Sequence, residues 1–551
     1  MSQRRKEIDS LFSEWDKTDS PGCMLAVIKK GKITYERGYG MANLEHSVPI
    51  TSDSVFRIGS VSKQFTATCV AILAERGEIS LDNGIRKYIP ELPSFAETIS
   101  IRHLIHQTSG IRDYTALFTL AMLTKDYRYF DNIAKSDVID VLARQQQLSF
   151  KIGERYEYSN SNYFLLGLIV ERVSGKSLRD FADEAIFKPL GMKNTHYHDD
   201  CKMVVTNRAY GYSPTDGSGF EISMSNCEVV GDGAVFTTIN DLLLWDANFY
   251  NNILPGGSKL ISTLEMVGRL NNGEPHSYAF GLFISEHKGL PFIYHGGGWV
   301  GFVAYMGRFP EQKFTVILLA NVTSFPGDNL AKQVADIYLD QYIDKQEPVQ
   351  HSEKVELEES DKITAKVLDE LVGLHATPGG NLVEVSNIES NLSIQIKGSK
   401  HTRTTYAQVS KTRFQPVDGY ITSILGIERF GNHNSYRIGT YNQDGNIPKW
   451  EPIPKIIPAN ERVDYAGYYY SKELDVTYWI KQTDEGILMC KTLSSWSGEF
   501  ELYKLRKDEL IFMKAQIIFK RNKQRIVTGF VLSSKDGVRG IRFRKRKSKT
   551  T

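Results

Sequence analysis

The chain has 551 residues, 41% hydrophobic and 24% charged, with a formal net charge of +2. That length exceeds one compact domain and suggests two to four, at roughly 150 residues each. The near-neutral balance argues against nucleic acid as a partner, and no apolar run reaches membrane-spanning length, so no membrane partner is expected either.

The opening stretch MSQRRKEIDSLFSEWDK has basic residues but no apolar core after them, so no signal peptide is visible. Five cysteines, Cys23, Cys69, Cys201, Cys227 and Cys490, are scattered and odd in number. They suggest reduced thiols and a cytoplasmic location.

In chain order, two β-rich runs come first, Met24 to Ile28 and Lys32 to Tyr39, and they flank Lys30-Gly31 as in a hairpin. Then Gly59-Ser60-Val61-Ser62-Lys63-Gln64-Phe65-Thr66 carries a loop into an apolar helix. That helix runs through Ala67, Cys69, Val70, Ile72 and Leu73 to a capping glycine, Gly77. Ser60 sits near the first turn, and Lys63, three residues on, shares its face. A serine hydroxyl becomes a useful nucleophile once a base takes its proton, and a desolvated lysine can be neutral enough to do so. Backbone N–H groups at the helix start would face a developing oxyanion. Alone, such a tetrad is also what a capping serine and a surface lysine look like.

Helices follow. One spans Ile101 to His106, one is opened by Ser136, and one runs through Phe164, Leu165, Leu168 and Ile169 to Gly175. Just before the last stands Tyr158-Ser159-Asn160. A phenol beside a serine–lysine pair can relay a proton to a leaving group, and an asparagine can fix both the lysine and a substrate amide. The plainer alternative is a polar turn that caps the next helix.

Asn240-Asp241 starts another helix. Strands then return at Phe292 to His295, Phe302 to Arg308 and Phe314 to Ala320, and a helix from Asn329 to Ile343 ends this part. The first of those strands leads into Tyr294-His295-Gly296-Gly297-Gly298-Trp299-Val300-Gly301. Its glycines would admit a substrate backbone, and the Gly298 N–H could join that of Ser60 as an oxyanion hole. A glycine-rich turn with a solvent-facing histidine is the bland version. The sequence of strand pair, helices, strand meander and helix predicts one antiparallel sheet built from both ends, with a helical insertion between.

Residues 345–362, KQEPVQHSEKVELEESDK, are polar and charged and read as a linker. Almost everything beyond is strand-like, and an internal repeat pairs Leu371-Val372-Gly373-Leu374-His375 with Tyr465-Ala466-Gly467-Tyr468-Tyr469. Two small antiparallel β-barrels fit that pattern. The expected organisation is a hydrolase domain over 1–345, a linker over 346–362, and barrels over 363–458 and 459–551.

Ser60-x-x-Lys63, Tyr158-x-Asn160 and His295-x-Gly297, in that order, resemble the SxxK serine hydrolases: class C β-lactamases, penicillin-binding proteins, esterases and D-aminopeptidase. ISIRHLIHQTSGIRDY, KPLGMKNT and VVGDGAVFTTINDLLLW look like further family segments. The SVSKQFT wording, the histidine in the third motif and AGYYYSKELDV most resemble the D-aminopeptidase branch.

The resemblance implies an α/β (α+β) β-lactamase/transpeptidase-like domain with a helical subdomain. It implies Ser60 as nucleophile, Lys63 as base, Tyr158 as proton relay, Asn160 as orienter and His295 as a substrate or electrostatic partner. The Ser60 and Gly298 N–H groups would hold the oxyanion, beside Gly297. No cofactor or metal is expected, and the partner is a small-molecule or peptide substrate, with a homodimer left open.

Two features depart from the pattern. D-aminopeptidase reads its substrate's amine with a long acidic loop, whereas Leu510 to Ile517 here looks short and has no acid. His295-Gly296-Gly297 also replaces the Lys-Thr-Gly that binds carboxylates, and a histidine is mostly uncharged at neutral pH, which disfavours carboxypeptidase or strong β-lactamase activity. The expected function is therefore hydrolysis of a small amide or ester, D-amino-acid peptides or amides among them. The alternatives are an esterase, a weak β-lactamase or penicillin-binding protein, and an inactive binding relative. THYHDDC, with His196, His198, Asp199, Asp200 and Cys201, lies in a polar loop unsuited to a metal. His103 and His106 are expected to satisfy local hydrogen bonds.

Overall fold

A computed structural model describes residues 3–123, 127–215, 219–343, 363–388, 391–397, 403–410, 412–419, 425–430, 435–440, 450–454, 457–493 and 498–546. The linker expected over 346–362 lies outside the described residues. The chain divides into two compact units, Met1–Thr115 with Asp126–Gln346, and Ala116–Lys125 with Glu347–Thr551.

The first unit is α+β and is organised by a six-stranded antiparallel sheet. Its strand order is Phe283–His287, Leu290–Trp299, Phe302–Phe309, Phe314–Ala320, Cys23–Lys29, Lys32–Tyr39, so both ends of the segment meet in one sheet as expected. Lys30 (φ 53°) and Gly31 (φ 73°) both adopt the left-handed conformation, which makes the two-residue turn of the first hairpin. Register is fixed along the seam where the ends join, Cys23 facing Ala320 and Lys29 facing Phe314. The sheet buries Leu25, Val27, Val316 and Leu318 against the helix Gly327–Leu339 and the N-terminal helix Gln3–Leu11, through Val334, Leu330 and Ile8, with Phe12 just after the latter helix. Polar contacts pin the N-terminal helix there: Asp9 Oδ1 accepts from the Tyr35 and Tyr39 hydroxyls and pairs with Arg37 at 2.7 Å.

Helix starts differ slightly from the sequence expectation. The helix attributed to Ser136 runs Lys135–Ala143, and its cap is the Asp137 carboxylate accepting from Ala134 N at 2.8 Å. The helix expected from Asn240-Asp241 runs Ile239–Asn251, because the Thr238 side chain accepts from Asp241 N and caps it one residue earlier. Strand Phe283–His287 was not expected from sequence.

The second unit carries an eight-stranded and a nine-stranded antiparallel sheet, which form one nearly closed barrel and one half-barrel. Two small antiparallel β-barrel domains were expected, and these sheets are consistent with them. Both sheets open alike. A short helix, Ala365–Leu371 or Ala459–Tyr465, is followed by a strand that begins at a glycine, Gly373 at φ 142° or Gly467 at φ 141°. That conformation is almost exclusive to glycine. In each case a side chain two residues on bonds the helix's last carbonyl: His375 Nε2 to Leu371 O at 2.8 Å, and Tyr469 OH to Tyr465 O at 2.7 Å. The Leu510-to-Ile517 stretch is a tight hairpin, strands Glu509–Phe512 and Ala515–Arg521 turning at Met513-Lys514. Among the described residues no helix is long and apolar enough to cross a membrane.

Candidate active site

Ser60 stands in a single 3-10 turn, Gly59–Ser62, that leads into the helix Lys63–Glu75. Every residue from Lys63 to Leu73 is buried, so this is a central helix rather than an amphipathic one. Small neighbours make room for it: a Cβ on Gly281 would fall 2.6 Å from the Gln64 N. Being at the first turn of a buried helix, the Lys63 side chain is desolvated whatever it pairs with.

Its Nζ donates to three acceptors: Ser60 Oγ at 3.0 Å, Asn160 Oδ1 at 2.9 Å and the Asp232 carbonyl at 2.6 Å. Three bonds saturate an ammonium. Burial pulls the Lys63 pKa down to about 8, while the nearby Asp232 and Asp113 carboxylates act to raise it. Near neutral pH the neutral amine is therefore accessible.

Tyr158 precedes the helix Asn160–Ser174, and its hydroxyl is close enough to Ser60 for the serine to act on its pKa. Lys63 Nζ lies 4.8 Å from its ring centroid. Desolvation holds its pKa well above the usual phenol value, so Tyr158 keeps its proton and Lys63 is the group able to act as base. Asn160 is held at both ends, since its backbone N donates to Asp113 Oδ2 at 2.5 Å while its Oδ1 takes the lysine.

Gly297 and Gly298 belong to strand Leu290–Trp299, whose pairing with Phe283–His287 ends at Tyr294. His295 to Trp299 run past that neighbour and meet the Ser60 turn instead. A Cβ on Gly297 would lie 2.9 Å from Ser60 N, and one on Gly59 would lie 2.7 Å from Gly298 N. What the glycines admit is thus the chain's own backbone, and the approach brings the Ser60 and Gly298 N–H groups alongside each other.

His295 is 2% exposed, not solvent-facing. Its Nδ1 lies 2.5 Å from the Gly296 carbonyl and therefore carries the proton, which leaves Nε2 to accept from Tyr278 OH at 3.2 Å. Burial, with Lys63 nearby, pushes its pKa down to about 3, so the ring is neutral at physiological pH.

A cavity of about 60 Å³ opens on this cluster, lined by Ser60, Asn160, Asp232, Gly298, Arg57, Tyr114, Cys227 and Trp299 among others. All seven residues expected from sequence, Ser60, Lys63, Tyr158, Asn160, His295, Gly297 and Gly298, gather around this one place. Sequence reasoning gave no role to Asp113, Asp232, Tyr278 or Arg57. Asp113 and Asp232 lie in the IRDY and VVGDGAVF stretches, whose wording was the available signal. Burial raises the Asp232 pKa, and its Oδ2 accepts from Tyr114 OH at 3.0 Å.

The decoys behave as ordinary structure. His103 Nδ1 completes a capping box with Ser100, and His106 Nδ1 meets the Tyr278 carbonyl at 3.2 Å. His196 and His198 pack on Phe236, and no group of three His, Cys, Asp or Glu among the described residues could hold a metal ion.

This fold and cluster place the chain in a class: it belongs to the β-lactamase family, whose model matches residues 8–339. Its relatives include penicillin-binding protein 4* of Bacillus subtilis (strain 168), 28% identical over 430 residues, which cover 75% of this chain and 91% of the relative. D-aminopeptidase of Brucella anthropi is 29% identical over 302 residues, 55% of this chain, and the match spans 56% of that enzyme's length. Among solved structures, the octameric penicillin-binding protein homologue from Pyrococcus abyssi superposes with a TM-score of 0.56 at 21% identity, covering 93% of this chain and 99% of that one. At that identity the likeness shows the fold alone.

Proposed function

We propose that the chain is a serine hydrolase that passes through a Ser60 acyl-enzyme and acts on small amides or esters, D-amino-acid peptides or amides among them. The observation that carries this reading is the 3.0 Å contact between Lys63 Nζ and Ser60 Oγ, with the lysine pKa drawn down to about 8. Neutral Lys63 takes the hydroxyl proton as Oγ bonds to the substrate carbonyl carbon. The Ser60 and Gly298 N–H groups hold the oxyanion. As the bond to the leaving group breaks, the proton on Lys63 reaches that group through the Tyr158 hydroxyl, and water then hydrolyses the acyl-enzyme. Asn160 and neutral His295 position lysine and substrate. The similarity to D-aminopeptidase supports the choice of amide substrates.

A second reading, an esterase, is favoured by the tight hairpin at Met513-Lys514, which offers no long acidic loop to read a substrate amine. An activated ester also asks less of the proton relay. An active-site-directed phosphonate should add its mass to Ser60, and Ser60→Ala should take up none. Equal labelling of the two proteins removes the proposal. A panel of D- and L-amino-acid amides and p-nitrophenyl esters then separates the two readings. We also propose the three-domain organisation and a homodimeric assembly, which limited proteolysis and light scattering would check.

A further inference from the structure

We infer that Arg57 is a specificity-determining residue that binds an anionic group, a carboxylate, on the acyl part of the substrate. This rests on the serine-hydrolase reading of Ser60 given above. Arg57 precedes the nucleophile by three residues and lines the same cavity as Ser60, Gly298 and Trp299. It is 4% exposed, yet among the described residues its Nε and Nη1 have no hydrogen-bond partner and Nη2 reaches only the Cys227 carbonyl, at 3.5 Å. A buried guanidinium without partners is costly to keep, and a site that keeps one gains when a matching acceptor arrives.

The neighbours do not supply that acceptor. The Trp299 and Phe236 rings, 5.6 and 6.0 Å from the guanidinium carbon, favour a cation but leave its N–H edge unmatched. Asp131 and Asp232 act on Arg57 through space without an ion pair to it among the described residues. The Asp131 carboxylate is engaged by Ser225 Oγ at 2.8 Å and Asn226 N at 2.7 Å. A second guanidinium, Arg208, lies on Phe236 at 4.9 Å and strengthens the positive field.

Asp232 also lines the cavity, and among the described residues its Oδ1 has no hydrogen-bond partner. The cavity therefore holds an unmatched donor group, on Arg57, and an unmatched acceptor, Asp232 Oδ1. A substrate entering it carries its carboxylate at the Arg57 end, a fork-on-fork match that guanidinium geometry favours. The volume of about 60 Å³ suits a short acidic chain rather than a bulky one.

The test compares two esters with the same leaving group, neutral p-nitrophenyl acetate and anionic mono-p-nitrophenyl succinate, on the full-length protein. The native enzyme should prefer the succinate in kcat/KM by about tenfold or more, and Arg57→Gln should lower that ratio by a similar factor, with Arg57→Lys between them. A native ratio at or below one, or a ratio unchanged in Arg57→Gln, overturns the inference and leaves Arg57 a structural or water-holding group. If Arg57→Gln does not fold, the native ratio alone decides. Failure of the parent reading looks different: neither ester would then acylate Ser60. Acylation by both esters with a flat ratio defeats only the Arg57 inference.

Discussion

A Cβ on Gly297 would sit 2.0 Å from the carbonyl oxygen of Ile58, so strand and nucleophile turn lie in direct backbone contact. No L side chain fits there unless one backbone moves, and the Ser60 and Gly298 N–H groups move with it. Gly297→Ala should lower acylation of Ser60 by about 100-fold or more, the scale of a lost oxyanion donor. Rates from active-site labelling on a variant with native circular dichroism make the check, and an unchanged rate would show that the contact does not set the donors.

With its pKa near 8, Lys63 is mostly protonated at pH 7 and loses its proton as pH rises. Acylation should therefore climb through about pH 8 and level off above it. Lys63→Ala should slow it roughly 100-fold or more, and Lys63→Arg should be no better, since a guanidinium does not deprotonate. A pH-independent rate between 6 and 9 would take the lysine out of the chemistry.

Asp232 acts to raise the Lys63 pKa. Asp232→Asn keeps an acceptor for Tyr114 but removes that charge, so the midpoint of the acylation profile should move below 8. The profile of the variant is the measurement, and a midpoint that stays or rises contradicts the assignment.

Tyr158 holds its proton, and in the proposed mechanism its hydroxyl passes the Lys63 proton to the departing group. Tyr158→Phe should therefore hurt amides far more than p-nitrophenyl esters, by about 100-fold against a few-fold, because nitrophenolate leaves without a proton. Equal losses on both substrates would mean the phenol acts at some other step.

Burial holds His106 and His196 near 4 and His198 and His295 near 3, against 6.5 for an unburied ring. Folded-state values below the unfolded one mean that the unfolded chain binds more protons in this range. The contribution is complete above about pH 6.5 and drains away as pH falls toward 4 and then 3. The melting temperature should fall steadily from pH 6.5 to 4, with proton uptake on unfolding, and a flat profile over that range would refute it.

The pair Ser60 and Lys63 was legible because helical spacing alone sets their distance, and the hairpin at Lys30-Gly31 because turn chemistry is local. Asp113 and Asp232 were not, although both bear on Lys63, since a carboxylate in a loop looks like turn chemistry until the fold brings it near. The same holds for Tyr278, whose tie to His295 depends on a strand, Phe283–His287, with too little alternation to announce itself. The Ser136 helix start was misplaced because a neighbouring aspartate outcompeted the serine as cap. Gly297 was found at the right position, but the need for a missing side chain against the Ile58 carbonyl was not legible, because that contact is made by the fold.

The paired openings of the C-terminal sheets bear on how this tail is made. Each clasp ties a ring to a carbonyl four positions earlier, His375 to Leu371 and Tyr469 to Tyr465. Such closures need no distant segment, so a nascent tail can lock its first clasp before the second has been synthesised. Each clasp is then a local beginning that a distant strand completes, since His375 pairs with Pro452 and Tyr469 with Lys545.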